Sequence, residues 1–353
     1  MDKPKFDFDD ILIVPEVHSP ISSRYKDITL PEKLPLFTAP MDTVVDLNNK
    51  ETFLNNKINV VLPRTIAYWE YLNHNVLLEK DADSHTFISF GFSELEYLSH
   101  CGYMGLHTKA KILIDVANGH MEKIVDYCKK IKKWRPDVTI MVGNIANPET
   151  YRWYAENNCI DYIRIGIGNG GGCLTTKQSG IGYPMASLIY ETRQVRNQME
   201  ISGSEGLPKI VADGGMKDYS DIIKALALGA DYVMLGSIFN KCLESCADSY
   251  LYGIKLSKRQ AKYFFKKKYP VKKYFRGMST KQAQKAMGKT TFKTSEGVVR
   301  FRKVEYTLEG WIENFEHYLR NAMSYSNAKT LDDFIGCGTP IQITRSAYDR
   351  FNK

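Results

Sequence analysis

The sequence predicts an α/β chain closed into a (β/α)8 TIM barrel, on three observations. Short apolar, β-branched runs recur along it, helical patterns separate several of them, and the runs number eight. A doubly wound open sheet is the alternative that the same alternation allows; the count of eight favours the barrel. In order, the runs are LPLFTAP (34–40), INVVLPR (58–64), HTFISFG (85–91), KILIDVANG (111–119), VTIMVGN (138–144), DYIRIGIG (161–168), KIVADGG (209–215) and DYVMLGS (231–237). They are near-continuously apolar, as strands become when both faces of a parallel sheet are covered.

The helical patterns between them are MEKIVDYCKKIKKW, NPETYRWYAENN and DYSDIIKALALGA. The second carries its own start signal, with Asn147 placed to cap and Pro148 at the first helical position. After the eighth run more than 100 residues remain, whereas a barrel needs one closing helix there. The Gly-punctuated stretch at about 275–305 is expected to form a flap over the catalytic face, followed by helices over about 307–353. The whole chain, 1–353, is read as one barrel domain.

Composition narrows the class. Of the 353 residues, 43% are hydrophobic and 25% charged, which suits a soluble chain with a large core. No run approaches the roughly 20 apolar residues of a membrane span, and no apolar stretch follows a basic start, so a cytoplasmic protein is expected. Seven scattered cysteines suit free thiols in a reducing compartment. Cys242 and Cys246 have CxxxC spacing without a second ligand pair, so they are read as helical neighbours and not a zinc site. The net charge of +8 comes largely from the lysine-rich stretch 258–276. Aromatics interleaved with those lysines could meet nucleic acid, but a solvated face or a patch attracting anionic small molecules is the expected reading.

The polar residues that carry chemistry follow the strands, on the face where barrels place their sites. Asp42 follows the first run, Arg64 the second, Asp115 and Asn118 the fourth, Asn144 the fifth, Cys173 the sixth, Asp213 the seventh and Ser237 the eighth. The loop GIGNGGGCLTT (166–176) is dense in glycine, so backbone groups can turn toward a ligand or cation. Its spacing also fits a dinucleotide fingerprint, but a helical pattern, MASLIYETR, stands where the acidic strand end should be. Cys173 ends this loop among Gly172, Thr175 and Thr176, which offer little core, so it is the candidate nucleophile. Asp213-Gly214-Gly215 and Gly236-Ser237 occupy the strand ends where barrels bind phosphate, and Asp213 suits a ribose diol.

Together MDTV (41–44), IDVANG (114–119), GN (143–144), GIGNGGGCLTT, ADGG (212–215), VMLGS (233–237), FRGMS (275–279) and SEG (295–297) resemble the IMP dehydrogenase/GMP reductase family. The match runs in order along nearly the whole chain. Three features favour the reductase branch: the segment between the second and third runs is too short for the CBS insertion, DVANG and SGIGYP (179–184) are similar to reductase motifs, and no Arg-Tyr pair stands between Gly277 and Glu296. The resemblance implies NADPH-dependent reductive deamination of GMP to IMP through a Cys173 thioimidate, with Thr175 and Glu296 moving the proton. It implies nucleotide contacts at Asp213, Gly214, Gly215, Gly236, Ser237, Gly277, Met278, Ser279, Lys293, Ser295 and Gly297. It places the cofactor at Ser23, Arg24, Arg64, Asp115, Val116, Ala117, Ile167 and Gly168. A potassium-type monovalent cation falls at the carbonyls of Gly168, Gly170 and Cys173, and a homotetramer is implied.

The chain departs from the family pattern at several positions. Asn169, Gly171 and Leu174 replace Pro, Ser and Thr in the cysteine loop; the lost Ser hydroxyl removes a phosphate contact. Arg64 stands where reductases carry Lys, and Lys293 where they tend to have Arg. An altered base or sugar preference, such as a deoxynucleotide, is compatible with these changes. The alternatives are IMP dehydrogenase or another C2-modifying enzyme of the family, and a nucleotide sensor without turnover. A flavin-binding barrel shares the phosphate site but does not require the cysteine.

Overall fold

The computed structural model describes residues 4–67, 70, 85–100, 106–287 and 297–351. Eight strands form one parallel sheet: β1 (Leu36–Thr38), β2 (Val60–Leu62), β3 (Thr86–Phe90), β4 (Lys111–Asp115), β5 (Thr139–Ile145), β6 (Tyr162–Ile165), β7 (Lys209–Asp213) and β8 (Tyr232–Leu235). β1 pairs with β8, with Leu36 opposite Val233, so the sheet curls back toward its start. Each expected run coincides with one of these strands, the fifth strand extending one residue past its run to Ile145.

Between β1 and β2 the barrel is completed by a single bridge, Phe37 to Asn59, and by side chains. The Thr38 hydroxyl accepts from the Val61 amide at 2.8 Å, and the Asn59 side-chain amide donates to the carbonyls of Leu34 and Leu36, both at 3.1 Å. These bonds take the place of ladder bonds that a three-residue strand is too short to make. Inside the barrel, Phe37, Val61, Phe87, Leu113, Met141, Val211 and Met234 form a separate buried cluster. Phe37 and Phe87 meet edge-to-face at 5.5 Å. The interior is a packed core, as expected of a barrel of this size.

The outer layer follows the expected patterns. Helices run over Lys123–Trp134, Pro148–Ala155, Met185–Ile201 and Tyr219–Leu228. Asn147 caps the second through its side chain, accepting from the Glu149 amide at 2.9 Å. MASLIYETR opens the 17-residue helix Met185–Ile201, which rules against a strand there. Helix Leu308–Tyr325 packs back on the barrel, stacking Trp311 on Tyr219 at 5.1 Å. Part of the tail is not helical, because Pro340–Gln342 pairs antiparallel with the N-terminal strand Ile11–Ile13. Among the described residues no helix is long and apolar enough to cross a membrane.

The segment after β8 holds a second, antiparallel sheet: β9 (Ser249–Leu251), β10 (Ile254–Leu256), β11 (Lys272–Arg276) and β12 (Val299–Lys303), in the order β10-β9-β11-β12. Helix Lys258–Lys266, started by a Ser257–Gln260 capping box, joins β10 to β11. The lysine-rich stretch and the ends of the flap therefore belong to one substructure. Cys242 and Cys246 lie past the short helix Ser237–Asn240 and are not helical neighbours. Their thiols are bonded to the carbonyls of Phe239 and Asp42. Burial pushes the Cys242 thiol up to about 12 and that of Cys246 well above its ordinary value, so neither is a nucleophile.

Candidate active site

β6 ends at Ile165, and the chain then turns through Gly166 (φ +124°) and Gly168 (φ +82°), angles that favour glycine. The crowding is also specific: a Cβ at Gly166 would lie 2.5 Å from the Asp213 carbonyl oxygen. The loop closes where the Cys173 amide donates to the Gly170 carbonyl at 2.9 Å. Cys173 is half-buried, and its thiol donates to Thr175 Oγ1 at 3.2 Å. Thr175 opens the short helix Thr175–Ser179. Thr176 clamps the loop base by donating to the Ile181 carbonyl at 2.8 Å.

The insertion sits directly on this loop. Cys173 forms an antiparallel bridge with Gly297, and the Val298 amide donates to the Gly172 carbonyl at 3.1 Å. A Cβ at Gly277 would fall 2.4 Å from the Gly172 carbonyl oxygen, so the flap base approaches the cysteine loop more closely than any side chain permits. Met278 and Ser279 follow, both half-buried. Three sequence-predicted residues, Lys293, Ser295 and Glu296, lie outside the described residues.

The ends of β7 and β8 reach the same mouth. Gly214 and Gly215 both have φ +86°, and a Cβ at Gly214 would lie 2.9 Å from the Gly170 amide nitrogen. Gly236 packs on Met41, and Ser237 begins the helix Ser237–Asn240. The proposed nucleotide-binding glycines thus converge on the cysteine loop.

Beside this loop lies a charge network that sequence reading missed. Arg164, 9% exposed, donates from Nε to Asp213 Oδ2 at 2.9 Å and from Nη1 to Asp115 Oδ1 at 2.8 Å. Asn144 donates to the same Asp213 oxygen at 2.8 Å and to the Gly166 carbonyl at 2.7 Å. Burial works against the Arg164 charge, but the Asp213 and Asp115 carboxylates more than offset it and raise its pKa. An arginine inside the apolar run DYIRIGIG was the available signal, since a charge buried in a sheet needs partners.

The cofactor candidates divide into two groups. Arg64 donates from Nη1 to the Asp115 carbonyl at 3.1 Å and stands 3.6 Å from Glu94, its guanidinium lying against Gly91. Among the described residues its buried Nε has no hydrogen-bond partner. Val116 exchanges backbone bonds with Gly143 and Asn144, while Ala117 is exposed. Ile167 and Gly168 lie in the cysteine loop itself. Ser23 and Arg24 are elsewhere: Arg24 donates to Asn321 at 2.8 Å and its carbonyl accepts from Arg320, both on the outer helix Leu308–Tyr325. Within one chain they are not brought together with Arg64 and Asp115.

Comparison with known proteins matches this arrangement. The sequence model described as the IMP dehydrogenase / GMP reductase domain matches residues 107–350, which span β4 to β8, the cysteine loop and the insertion. The chain belongs to the IMP dehydrogenase/GMP reductase family. It is similar over 99% of its length to GMP reductase of Caenorhabditis elegans, at 27% identity and covering 95% of that protein. To human GMP reductase 2 it is 29% identical, with 99% of this chain and 97% of the relative covered. To GMP reductase of Streptococcus pneumoniae it is 27% identical over 94% of this chain and 92% of that relative. In this family member, Cys173 is the cysteine of the glycine loop and carries the flap base upon it.

Proposed function

We propose that this enzyme, an oxidoreductase of the GMP reductase type, reduces GMP or a close guanine nucleotide to IMP with release of ammonia. The observation that carries the reading is the half-buried Cys173 thiol, held under the flap base on a loop that abuts the glycine-lined ends of β7. The sulfur adds to C2 of the guanine, and the C2–amino bond breaks as the nitrogen leaves protonated. The base is left joined to Cys173 as a thioimidate. Thr175, hydrogen-bonded to the thiol, and Glu296 move the proton to the departing nitrogen. NADPH supplies the hydride that C2 takes up, and the C–S bond then breaks to return the thiolate.

Among the described residues only Oδ2 of Asp213 is engaged, by Arg164 and Asn144, which leaves Oδ1 for a ribose hydroxyl. Gly214, Gly215, Gly236 and Ser237 hold the phosphate, and Gly277, Met278, Ser279, Lys293, Ser295 and Gly297 meet the base. Arg64, with its unsatisfied buried Nε, and Asp115 to Ala117, Ile167 and Gly168 fit the dinucleotide. Ser23 and Arg24 join that site from a neighbouring copy, within a homotetramer. The carbonyls of Gly168, Gly170 and Cys173 fit a potassium ion; the Gly170 oxygen keeps one lone pair beyond its bond to the Cys173 amide.

The test is absorbance at 340 nm over a panel of nucleotides with both reduced cofactors. GMP-dependent loss of NADPH, with one ammonium formed per IMP, is expected. NADH formation from IMP would instead make the enzyme a dehydrogenase, and binding of GMP without turnover would make it a sensor.

A further inference from the structure

Arg302 lies in β12 next to the cysteine loop, with no ion-pair partner among the described residues. Its guanidinium stacks on the Phe275 ring, 4.2 Å from the centroid, and Phe275 itself is 1% exposed. A Cβ built on Gly171 would stand 3.2 Å from Arg302 Nη2, so the guanidinium borders the glycine loop two residues before Cys173. Among the described residues its buried Nε has no hydrogen-bond partner. Burial disfavours the charged form of Arg302, Arg300 adds to that effect, and Glu305 offsets it only in part. An arginine cannot relieve that cost by losing its proton. A half-buried guanidinium held flat against a ring, with its buried Nε unpaired among the described residues, is suited to receive an anion.

The anion is identified by the neighbouring residues. Gly171 occupies the loop position at which the family resemblance expects a serine hydroxyl on the phosphate. The adjoining Gly170 abuts Gly214 of the phosphate-binding β7 end. We propose that Arg302 is a phosphate ligand of the bound nucleotide, replacing with a charged fork the hydroxyl that position 171 lacks. The proposal rests on the nucleotide reading above and adds a residue to it. It also explains why a glycine at 171 is compatible with phosphate binding, because a longer side chain would press on the guanidinium.

The experiment measures binding of GMP, guanosine and inorganic phosphate by calorimetry to the wild type and to Arg302→Met. Losing a charge-assisted pair of bonds is expected to weaken GMP roughly 10–100-fold. Guanosine should change by less than about twofold, since it carries no phosphate. Arg302→Lys, which keeps the charge and guards against misfolding of the first variant, should fall between. Adding Gly171→Ser to Arg302→Met should recover part of the GMP affinity. Equal losses for GMP and guanosine, or undiminished GMP binding in Arg302→Met, overturn the proposal. Inorganic phosphate should compete with GMP in the wild type and lose its own binding in Arg302→Met; unchanged phosphate binding overturns the proposal too. The phosphate arm is independent of the base chemistry. Phosphate binding that depends on Arg302, in a protein that turns over no guanine nucleotide, would remove the functional reading and leave Arg302 standing.

Discussion

Arg164 donates from Nε to Asp213 Oδ2 at 2.9 Å, and this contact decides which oxygen of the carboxylate remains open to a ligand. The other arm of the same guanidinium holds Asp115, so one side chain sets the spacing of two carboxylates from β4 and β7. Arg164→Met would leave both acids without their cation, and removing one partner of such a buried set costs roughly 3–5 kcal/mol. Urea unfolding should show that loss. Arg164→Lys keeps a charge but cannot span both acids; it should recover stability in part and still raise KM for both nucleotide and dinucleotide. Wild-type KM values in the lysine variant would show that the spacing does not matter.

Gly277 is predicted to be sensitive for a reason of contact and not of conformation. A Cβ there meets the Gly172 carbonyl oxygen at 2.4 Å, so Gly277→Ala must lift the flap base from the cysteine loop. Displacing reacting groups by about 1 Å can cost on the order of 100-fold in rate. kcat/KM should fall by about that factor while the urea midpoint stays near wild type. An unchanged kcat/KM would mean that the flap base does not position the loop.

Asp221 makes a prediction about pH. Burial, with Asp218 adding to it, pushes its carboxyl up to about 6. An unfolded Asp titrates near 3.9. Between those values the folded chain holds the proton that the unfolded chain has released, so stability is greatest at the acid end of the window. It declines as pH rises through the window and is level above it. The change is on the order of 2–3 kcal/mol at most. Asp221→Asn can still accept from the Lys217 amide and should flatten this part of the stability profile. A profile in the variant that keeps the same slope between pH 4 and 6 would assign the titration to another group.

Much of the barrel could be read from the sequence because β-branched runs buried on both faces have few alternatives. KILID and KIVAD became strands as written. The antiparallel sheet β9–β12 was hidden because KKYFR and VRFRK carry a basic residue at most positions, and their pairing depends on partners 23 or more residues away. Asp213 and Cys173 were legible because strand ends and glycine loops advertise them. Arg164 and Arg302 were not, since an arginine in a strand reads as solvent-facing until the fold supplies its neighbours. Ser23 and Arg24 show the converse: a family position can be occupied while one chain alone does not assemble the site.

The sulfur of Cys173 is the most direct test. In Cys173→Ala, GMP-dependent NADPH oxidation at 340 nm should vanish while GMP binding, measured on the same sample, stays within about threefold of wild type. Undiminished oxidation in that variant would contradict a covalent route through Cys173.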